Sequence, residues 1–330
     1  MNSSNPFETI QQIAGGYCLN RCLHVVADLG VADALEEIPQ TASELAGIAG
    51  ANADALGRVL RLLSAYGIFE SNGNKFSHSP ASRLLRKDHP QSMRGFVRMF
   101  GLSINWKAYE AFHETIKTGE PAVEKIYPGG FWNYFSEHKE ESNIFNEAMA
   151  DKAKGQLHGI MASYNFSDFK TIADIGGGRG HLLQAVLDSA PNAKGVLFDL
   201  PHVIEDAADR AFDRLTLQAG DFFKDSLPVC DAYLVMEIIH DWAEEEATAI
   251  LKAVRKAAPP HAKLFLIETI IPEDAKPDWS KMLDVHMLTL LGGRQRTRKE
   301  YENLLAVAGF LLNREIDTGA GISILEASVQ

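Results

Sequence analysis

The chain has 330 residues, of which 46% are hydrophobic, and its formal net charge is −12 at pH 7. This length and composition suit two domains with ordinary hydrophobic cores, whereas the negative charge disfavours nucleic acid as a partner. The sequence contains no apolar run long enough to span a membrane, and its start, MNSSNPFETIQQ, lacks the basic and apolar blocks of a signal peptide, so we expect a cytoplasmic protein.

The first part of the chain is predicted to be mostly helical and to contain a winged-helix pattern. The segment TASELA begins a helix with a capping box from Thr41 to Glu44. A second helix carries apolar residues at helical spacing over 56–63. Asn72 and Gly73 then join two short strand-like runs, which is a strong hairpin signal.

A winged helix is compatible with DNA binding or with a structural role in dimerisation. Residues 41–80 contain three basic and three acidic side chains, so they offer no net positive charge to phosphates. The first 35 residues carry more apolar surface than a small helix hides by itself. We therefore favour a module that pairs with a second copy of the chain and expect no nucleic acid partner.

The second half of the chain is predicted to form an open α/β sheet. Short apolar runs alternate with helical segments from about residue 166, which favours parallel strands joined by crossover helices. These runs are TIADI, GVLFDL, LTLQ, DAYLVMEI and KLFLIETI. The final runs FLLNREID and GISILEAS are separated by TGAG, which predicts an antiparallel hairpin. The predicted fold class is thus α/β, a Rossmann-like seven-stranded sheet with an antiparallel terminal hairpin behind a helical domain.

The segment TIADIGGGRGHLLQAVL indicates a strand, a glycine turn and a helix that bind a nucleoside cofactor. A dinucleotide site would read GxGxxG, and Gly176 and Gly178 fit its first two glycines, but the third position is His181. S-adenosylmethionine carries a sulfonium and an ammonium instead of phosphates, so it favours acids beside the turn. Asp174 precedes the glycines directly and is predicted to face the methionine end of that cofactor.

Two further strand ends supply acids for the same ligand. Asp199 ends GVLFDL about 20 residues after the turn, where an acid accepts hydrogen bonds from ribose hydroxyls in either class of cofactor. Asp221 in GDFF is placed to accept from an adenine amino group, and Phe222 to lie against the ring. A helix-capping role for Asp199 and a core role for Phe222 remain alternatives. The predicted cofactor residues in these segments are Asp174, Gly176, Gly177, Gly178, Asp199, Leu200, Gly220, Asp221 and Phe222.

Six motifs occur in a fixed order, namely DIGGGRG, FDLP, GDFF, EIIHDW, IETIIPE and GGRQRTRKEYENLLAVAGF, and FWNYFSEHKEESNIFNEAMA precedes them. With these motifs the sequence resembles the S-adenosylmethionine-dependent O-methyltransferases of the caffeate and hydroxyindole type. The resemblance implies a homodimer with a winged-helix-like dimerisation domain over 1–95, a helical linker and substrate cap over 96–165, and a Rossmann-like cofactor-binding catalytic domain over 166–330.

The resemblance also implies that His240 is the general base and that Glu268 orients it. A phenol with a pKa near 10 is mostly protonated at neutral pH, and an imidazole with a pKa near 6.5 can take up its proton during methyl transfer. Without the resemblance, a helix-capping histidine is an equal alternative. His240 and Glu244 also have the spacing of a metal pair, but no third ligand is evident, so we expect no metal.

Two residues depart from the pattern of the family. Gln295 in GGRQRT replaces a second acid beside the base, and Glu237 stands near the cofactor where Lys or Arg is common. We keep Gln295 among the predicted catalytic residues and Glu237 among those that bind the cofactor. These changes leave open N-methylation, or non-methylating chemistry such as hydroxylation, decarboxylation or a pericyclic reaction, on the same cofactor.

The resemblance predicts a small aromatic or polyketide-like acceptor. Its pocket is expected to be lined by aromatic, methionine and aspartate side chains that grip a flat ring. The candidates are Trp106, Phe131, Trp132, Met149, Asp241, Asp284, Met287 and Leu291.

Overall fold

A computed structural model describes residues 5–330 of the chain. The prediction that the chain starts without a signal peptide involves residues 1–4, which lie outside the described residues. Over the described residues, no helix combines the length and the apolar character needed to cross a membrane.

The helices and strands follow in chain order. The helices are α1 (Pro6–Asp28), α2 (Val31–Ala34), α3 (Ala42–Ala49), α4 (Ala53–Ala65), α5 (Pro80–Arg83), α6 (Arg94–Phe100), α7 (Ser103–Glu110), α8 (Phe112–Thr118), α9 (Ala122–Ile126), α10 (Gly130–Glu137), α11 (Lys139–Ser163), α12 (His181–Ser189), α13 (Pro201–Asp206), α14 (Glu244–Ala257), α15 (Trp279–Leu290) and α16 (Arg298–Val307). The strands are β1 (Gln40–Thr41), β2 (Phe69–Asn72), β3 (Lys75–His78), β4 (Thr171–Ile175), β5 (Lys194–Asp199), β6 (Leu215–Ala219), β7 (Ala232–Met236), β8 (Lys263–Glu268), β9 (Phe310–Asp317) and β10 (Ser323–Val329).

The chain divides into two compact units. One contains the residues up to Trp106 together with Asn133–Lys154, and the other contains Lys107–Trp132 together with Gly155–Gln330. Segments of both units therefore fall within 96–165, the range predicted to be a linker and substrate cap.

The first unit contains the predicted helix–helix–hairpin pattern. Helix α3 begins with the predicted capping box, in which the Thr41 N–H donates to the Glu44 carboxylate at 2.7 Å and the Glu44 N–H donates to the Thr41 hydroxyl at 3.3 Å. Strands β2 and β3 form the predicted hairpin, and β1 completes a three-stranded sheet in the order β1-β3-β2. Leu45, Leu60 and Phe69 lie in its buried core.

The apolar residues of α1 separate into a buried end and an exposed end. Val26 is buried in the core of the first unit. Four large apolar side chains nearer the start of the helix are between 68% and 84% exposed, namely Phe7, Ile10, Ile13 and Tyr17. Burial of this surface against another chain would be favourable.

The second unit confirms the predicted α/β sheet. Its seven strands run in the order β6-β5-β4-β7-β8-β10-β9. Strand β4 pairs in parallel with β5 on one side and β7 on the other, whereas β10 pairs antiparallel with β8 and β9, as predicted for the terminal hairpin. The order of the strands reverses between β4 and β7, since β5 and β6 are added on one side of β4 and β7 and β8 on the other. Ligands of open α/β sheets bind at the carboxyl ends of strands at such a switch point.

Alternating side chains of the central strands enter two cores on opposite faces of this sheet. Leu264 and Leu266 of β8 pack in the core that contains α14 and α16. Phe265 and Ile267 pack in the core that contains α12. Because both faces are covered, the interiors of the central strands are nearly uniformly apolar, and the acids Asp174, Asp199 and Glu268 lie at or next to the carboxyl ends of β4, β5 and β8.

Candidate active site

The glycine turn lies at the carboxyl end of β4, as predicted. Gly176 and Gly178 have φ angles of 69° and 58°, in the region that favours glycine. A Cβ at Gly176 would lie 2.7 Å from the Ile238 side chain, whereas one at Gly178 would have no neighbour within 4 Å. The turn is thus packed on one side and open on the other, where a ligand can approach the backbone.

Asp174 lies beneath this turn. Its side chain is buried, and a Cβ at Gly177 would overlap its carboxylate. Neither carboxylate oxygen has a hydrogen-bond partner among the described residues. Burial, with the charge of Asp199 adding to it, raises the pKa of Asp174 to about 7.

Asp199 at the end of β5 fixes the shape of the turn. The Gly178 N–H donates to its Oδ2 at 2.8 Å, and the Leu200 N–H donates to its Oδ1 at 2.7 Å. Each carboxylate oxygen can accept more than one hydrogen bond, so the group retains capacity for ligand hydroxyls. Leu200 next to it is 42% exposed and offers an apolar surface.

The loop after β6 holds Gly220, Asp221 and Phe222. The Asp221 carboxylate already accepts from the Phe223 N–H at 2.9 Å and from the Lys224 ammonium at 2.8 Å. The Phe222 ring is partly buried and lies edge-on to Phe223 at a centroid distance of 4.8 Å. These contacts tie the Asp221 carboxylate to its own loop, a feature that the sequence pattern does not reveal.

Glu237 follows β7 with a φ angle of 52°, which is unusual for a residue other than glycine. Its N–H donates to the Ile267 carbonyl at 3.0 Å, and Gln156 donates to its carboxylate at 3.4 Å. The strained backbone marks the point where the chain leaves the sheet for the turn that carries His240.

His240 lies in a 3-10 turn, Ile239–Asp241, between two carboxylates. Its Nδ1 is 3.1 Å from Oε2 of Glu268, and its Nε2 is 3.2 Å from Oδ1 of Asp241. The contact with Glu268 is within ion-pair distance but is not aligned as a hydrogen bond. Glu268 is fully buried at the end of β8, and its Oε1 accepts from the Ile239 N–H at 2.9 Å. Glu268 thus holds both the backbone and the ring nitrogen of the turn.

The electrostatics of this arrangement favour an imidazolium. Burial by itself lowers the pKa of His240, but the charges of Glu268 and Asp241 outweigh that effect and raise it to about 10. The ring therefore holds a proton at neutral pH, and Asp241 occupies the position next to Nε2 until another group displaces it.

The segment GGRQRT lies directly against the His240 turn. A Cβ at Gly293 would overlap the His240 carbonyl, and the Arg294 N–H donates to that carbonyl at 2.9 Å. Gln295 is 1% exposed, and neither polar atom of its side chain has a hydrogen-bond partner among the described residues. Its backbone N–H donates to Asp284 at 2.8 Å, so Asp284 is engaged in positioning this segment.

A cleft of about 120 Å³ lies beside Asp241. It brings together four of the predicted acceptor residues, Phe131, Trp132, Asp241 and Leu291. Its other lining residues are Glu124, Gly129, Gly130, Trp242 and Leu290. Met287 is buried in α15, the helix that ends at this cleft.

The remaining predicted acceptor residues belong to the first unit. Trp106 lies edge-on to His24 at a centroid distance of 6.0 Å, and the Arg21 guanidinium is 5.3 Å from its ring centre. Met149 is half-buried in α11. Their proposed contact with an acceptor remains a prediction.

Arg296 is a residue of the site that the sequence reasoning missed. It is fully buried, and its guanidinium donates to the carbonyl oxygens of Ile239 at 3.0 Å and Trp242 at 3.2 Å. Its place in GGRQRT, one residue after a predicted catalytic position, was the only available signal, because nothing local indicates burial of a charged side chain.

The residues at the strand ends fit S-adenosylmethionine. The open side of the glycine turn admits a ligand, and Asp174, Asp199 and Glu237 place carboxylates near a switch point. The cation of the turn, Arg179, is half-exposed and pairs with Asp209 at 3.3 Å. Leu200 and Phe222 supply apolar surface for an adenine ring. Over residues 5–330, no group of three or more His, Cys, Asp or Glu side chains is arranged to hold a metal ion.

Comparison with protein families gives two matches that together span most of the chain. Residues 109–311 match the O-methyltransferase domain, and residues 11–88 match the O-methyltransferase dimerisation domain. The second match supports the dimerisation interpretation of the winged helix and implies a homodimer.

Characterised relatives cover nearly the whole chain. The phenazine O-methyltransferase PhzM of Lysobacter antibioticus is 39% identical over 322 residues, which is 96% of this chain and 94% of the relative. An 8-amino-8-demethylriboflavin N,N-dimethyltransferase of Streptomyces davaonensis is 35% identical over 299 residues, covering 87% of this chain and 85% of the relative.

Solved structures extend this likeness to the fold and to the cofactor. The crystal structure of LaPhzM has a TM-score of 0.89 at 39% identity and covers 99% of this chain and 100% of its own. The O-methyltransferase NcsB1, solved with S-adenosylmethionine and 2-hydroxy-5-methyl naphthoic acid, has a TM-score of 0.79 at 30% identity and covers 94% of this chain and 96% of its own. This chain belongs to the O-methyltransferase family with an N-terminal dimerisation domain, and it is an S-adenosylmethionine-dependent O-methyltransferase.

Proposed function

We propose that the enzyme methylates a hydroxyl group on a small aromatic acceptor and that His240 is the general base. The observation that carries this proposal is the position of the His240 ring, with Nδ1 against buried Glu268 and Nε2 directed toward Asp241, a residue that lines the cleft. The aromatic substrates named for PhzM and bound to NcsB1 support an aromatic acceptor.

The proposed site divides the reaction between cofactor and protein. When bound, S-adenosylmethionine supplies an activated methyl group on a sulfonium. The glycine turn with Asp199, Leu200 and Phe222 would hold the nucleoside, and Asp174 and Glu237 would supply negative charge for its methionine end. The protein then has to place the acceptor hydroxyl in line with the methyl group and remove one proton.

In this proposal each nitrogen of His240 has a separate task. The imidazolium first has to lose its Nε2 proton to solvent; in the neutral ring that remains, the proton on Nδ1 faces Glu268, which favours the tautomer with the lone pair on Nε2. Nε2 accepts the proton of the hydroxyl as the carbon–oxygen bond forms, and Glu268 stabilises the resulting imidazolium. Because Asp241 lies 3.2 Å from Nε2, the acceptor hydroxyl has to replace its carboxylate at that nitrogen.

This exchange predicts a pH effect in the Asp241→Asn enzyme. Asp241 raises the pKa of His240, and only the unprotonated ring is a base, so activity in the wild type rises with pH through that pKa. Removing one carboxylate lowers the pKa, and we expect the acidic limb of kcat/KM to move down by about 1 pH unit or more. The measurement is a pH profile of kcat/KM for both enzymes. An unshifted limb would show that Asp241 does not control the base.

N-methylation is the second candidate, and two observations favour it. Gln295 places a neutral amide where an acid would support an imidazolium, and the N,N-dimethyltransferase relative is 35% identical to this chain. An amine nucleophile needs little help from a base, because it carries a free lone pair when unprotonated.

A panel of acceptors separates the two candidates. Purified enzyme is incubated with S-adenosylmethionine and phenols, hydroxyquinones or aromatic amines of matched size, and the products are analysed by mass spectrometry. We expect phenols and hydroxyquinones to gain one methyl group. Transfer to the amines alone would favour N-methylation, and formation of another product without methyl transfer would favour the non-methylating alternative.

A further inference from the structure

The guanidinium of Arg296 connects the two ends of the catalytic turn. It donates to the carbonyl of Ile239, immediately before His240, at 3.0 Å. It also donates to the carbonyl of Trp242, immediately after Asp241, at 3.2 Å. The two residues that carry the imidazole and its neighbouring carboxylate thus lie between the two carbonyl groups that Arg296 binds.

All five N–H groups of this guanidinium can be assigned to an acceptor. One NH2 group donates to the carbonyls of Ile239 and Arg294, the other donates to Trp242 and to Glu244 Oε2, and Nε donates to the same Glu244 oxygen at 3.3 Å. Arginine has five donors in a fixed plane, whereas a lysine ammonium has three at one point. Lysine therefore cannot bind both carbonyls with the same geometry.

Burial of the Arg296 guanidinium carries a desolvation cost that a surface ion pair would avoid. Its side chain is 0% exposed, whereas the side chain of Glu244, its only carboxylate partner in the described chain, is 59% exposed. The guanidinium also lies 5.9 Å from the centre of the buried Tyr301 ring. A buried charge with a largely solvated partner is weak evidence for a role in stability. The other hydrogen bonds of the Arg296 side chain go to the two ends of the His240 turn and to Arg294.

Glu268 holds the same turn from the other side. Its Oε1 accepts from the Ile239 N–H at 2.9 Å, while Arg296 binds the Ile239 carbonyl. The N–H and the carbonyl of Ile239 are therefore bound by two buried side chains of opposite charge, Glu268 and Arg296. This arrangement limits the displacement of His240 when the acceptor hydroxyl replaces Asp241 at Nε2.

We propose that Arg296 is a positioning residue for methyl transfer, which holds the His240–Asp241 turn by binding the carbonyl oxygens at both of its ends. The inference rests on the proposed role of His240 as the base. The hydrogen bonds of the Arg296 side chain go to Ile239, Trp242, Glu244 and Arg294, none of which is a predicted cofactor residue, so its proposed effect is on the placement of the base. A displacement of a catalytic group by about 1 Å costs about 100-fold in rate.

The test compares Arg296→Lys with the matched control Arg298→Lys, whose side chain is 51% exposed and paired with Glu315. We expect Arg296→Lys to lower kcat by about 10- to 100-fold while KM and the affinity for S-adenosylhomocysteine change little. Arg298→Lys should keep the wild-type kcat. Glu244→Gln should lose much less activity than Arg296→Lys, and an equal loss would assign the effect to the ion pair and overturn the proposal.

A double-mutant cycle separates positioning from general stabilisation. If Arg296 acts through His240, Arg296→Lys costs little further activity in an enzyme that already carries His240→Gln. A full additional loss in that background would contradict the proposal. If His240→Gln alone retains full activity, the proposed base is wrong; if it loses activity and Arg296→Lys does not, only the present inference is wrong.

Arg296→Gln is a second variant that removes the charge of this buried side chain, whereas Arg296→Lys keeps it. It is expected to show the same lack of additivity with His240→Gln. Melting temperature and S-adenosylhomocysteine affinity report the fold of each variant. Loss of the folded state in both Arg296 variants would assign the residue to stability and overturn the positioning role.

Discussion

A His240→Gln enzyme is expected to transfer methyl groups about 10²- to 10⁴-fold more slowly than the wild type, which is the range that a general base contributes. Glutamine occupies a similar volume and its amide can still donate to Glu268, but it cannot take up a proton at neutral pH. The affinity for S-adenosylhomocysteine, measured by calorimetry, should be nearly unchanged, because the ring is directed toward Asp241, which lines the cleft where four predicted acceptor residues meet.

His261→Gln is the control for this variant. His261 is largely exposed and bonds Asp231 at 2.9 Å on the surface of the second unit, so its replacement should leave kcat as in the wild type. A series of phenols of different acidity adds a second readout. Without the base, the rate should depend more steeply on the acidity of the phenol. Equal losses of cofactor affinity and turnover in His240→Gln would instead assign the residue a scaffolding role.

An Asp199→Asn enzyme is expected to bind S-adenosylhomocysteine about 10- to 100-fold more weakly, because hydrogen bonds to a charged group contribute about 1.5–3 kcal/mol each. The carboxylate shapes the glycine turn through Gly178 and Leu200, and it is proposed to accept from the ribose hydroxyls. An amide keeps one acceptor oxygen but loses the charge and the second acceptor. Calorimetric titration of both enzymes measures the difference.

Asp188→Asn is the matched control for the cofactor prediction. Asp188 is exposed near the end of α12 and accepts from Gln184 at 2.8 Å, so the Asp188→Asn enzyme should bind S-adenosylhomocysteine as the wild type does. An Asp199→Asn enzyme with wild-type affinity but reduced turnover would remove Asp199 from the cofactor site. It would leave the carboxylate a role in shaping the turn alone.

The sheet and its glycine turn could be predicted because their signals are local. Short apolar runs, glycines with positive φ and the TGAG hairpin follow from backbone sterics and from burial on two faces. The capping box of Thr41 and Glu44 is equally local, since both partners lie within one helical turn. Such features need no knowledge of which distant segments come together.

The finer structure of the site depends on contacts between distant segments. The sequence places Asp241 beside His240 but does not show that its carboxylate lies on Nε2. It also does not show that Arg296 is buried and binds the carbonyl of Ile239, which lies 57 residues earlier in the chain. Nor does it show that the Asp221 carboxylate accepts a hydrogen bond from Lys224. Side-chain pairing of this kind is decided by tertiary packing, which periodicity and propensity do not encode.

The most direct test of the account is the pH dependence of methyl transfer in a single turnover, for an acceptor whose hydroxyl stays protonated over the range studied. Between about pH 6 and about pH 9, below both the phenol pKa near 10 and the raised His240 pKa of about 10, the wild-type rate should rise with the unprotonated fraction of His240. The rate of His240→Gln should be low and nearly independent of pH over the same range. An equally steep rise over this range in His240→Gln would show that another group takes the proton.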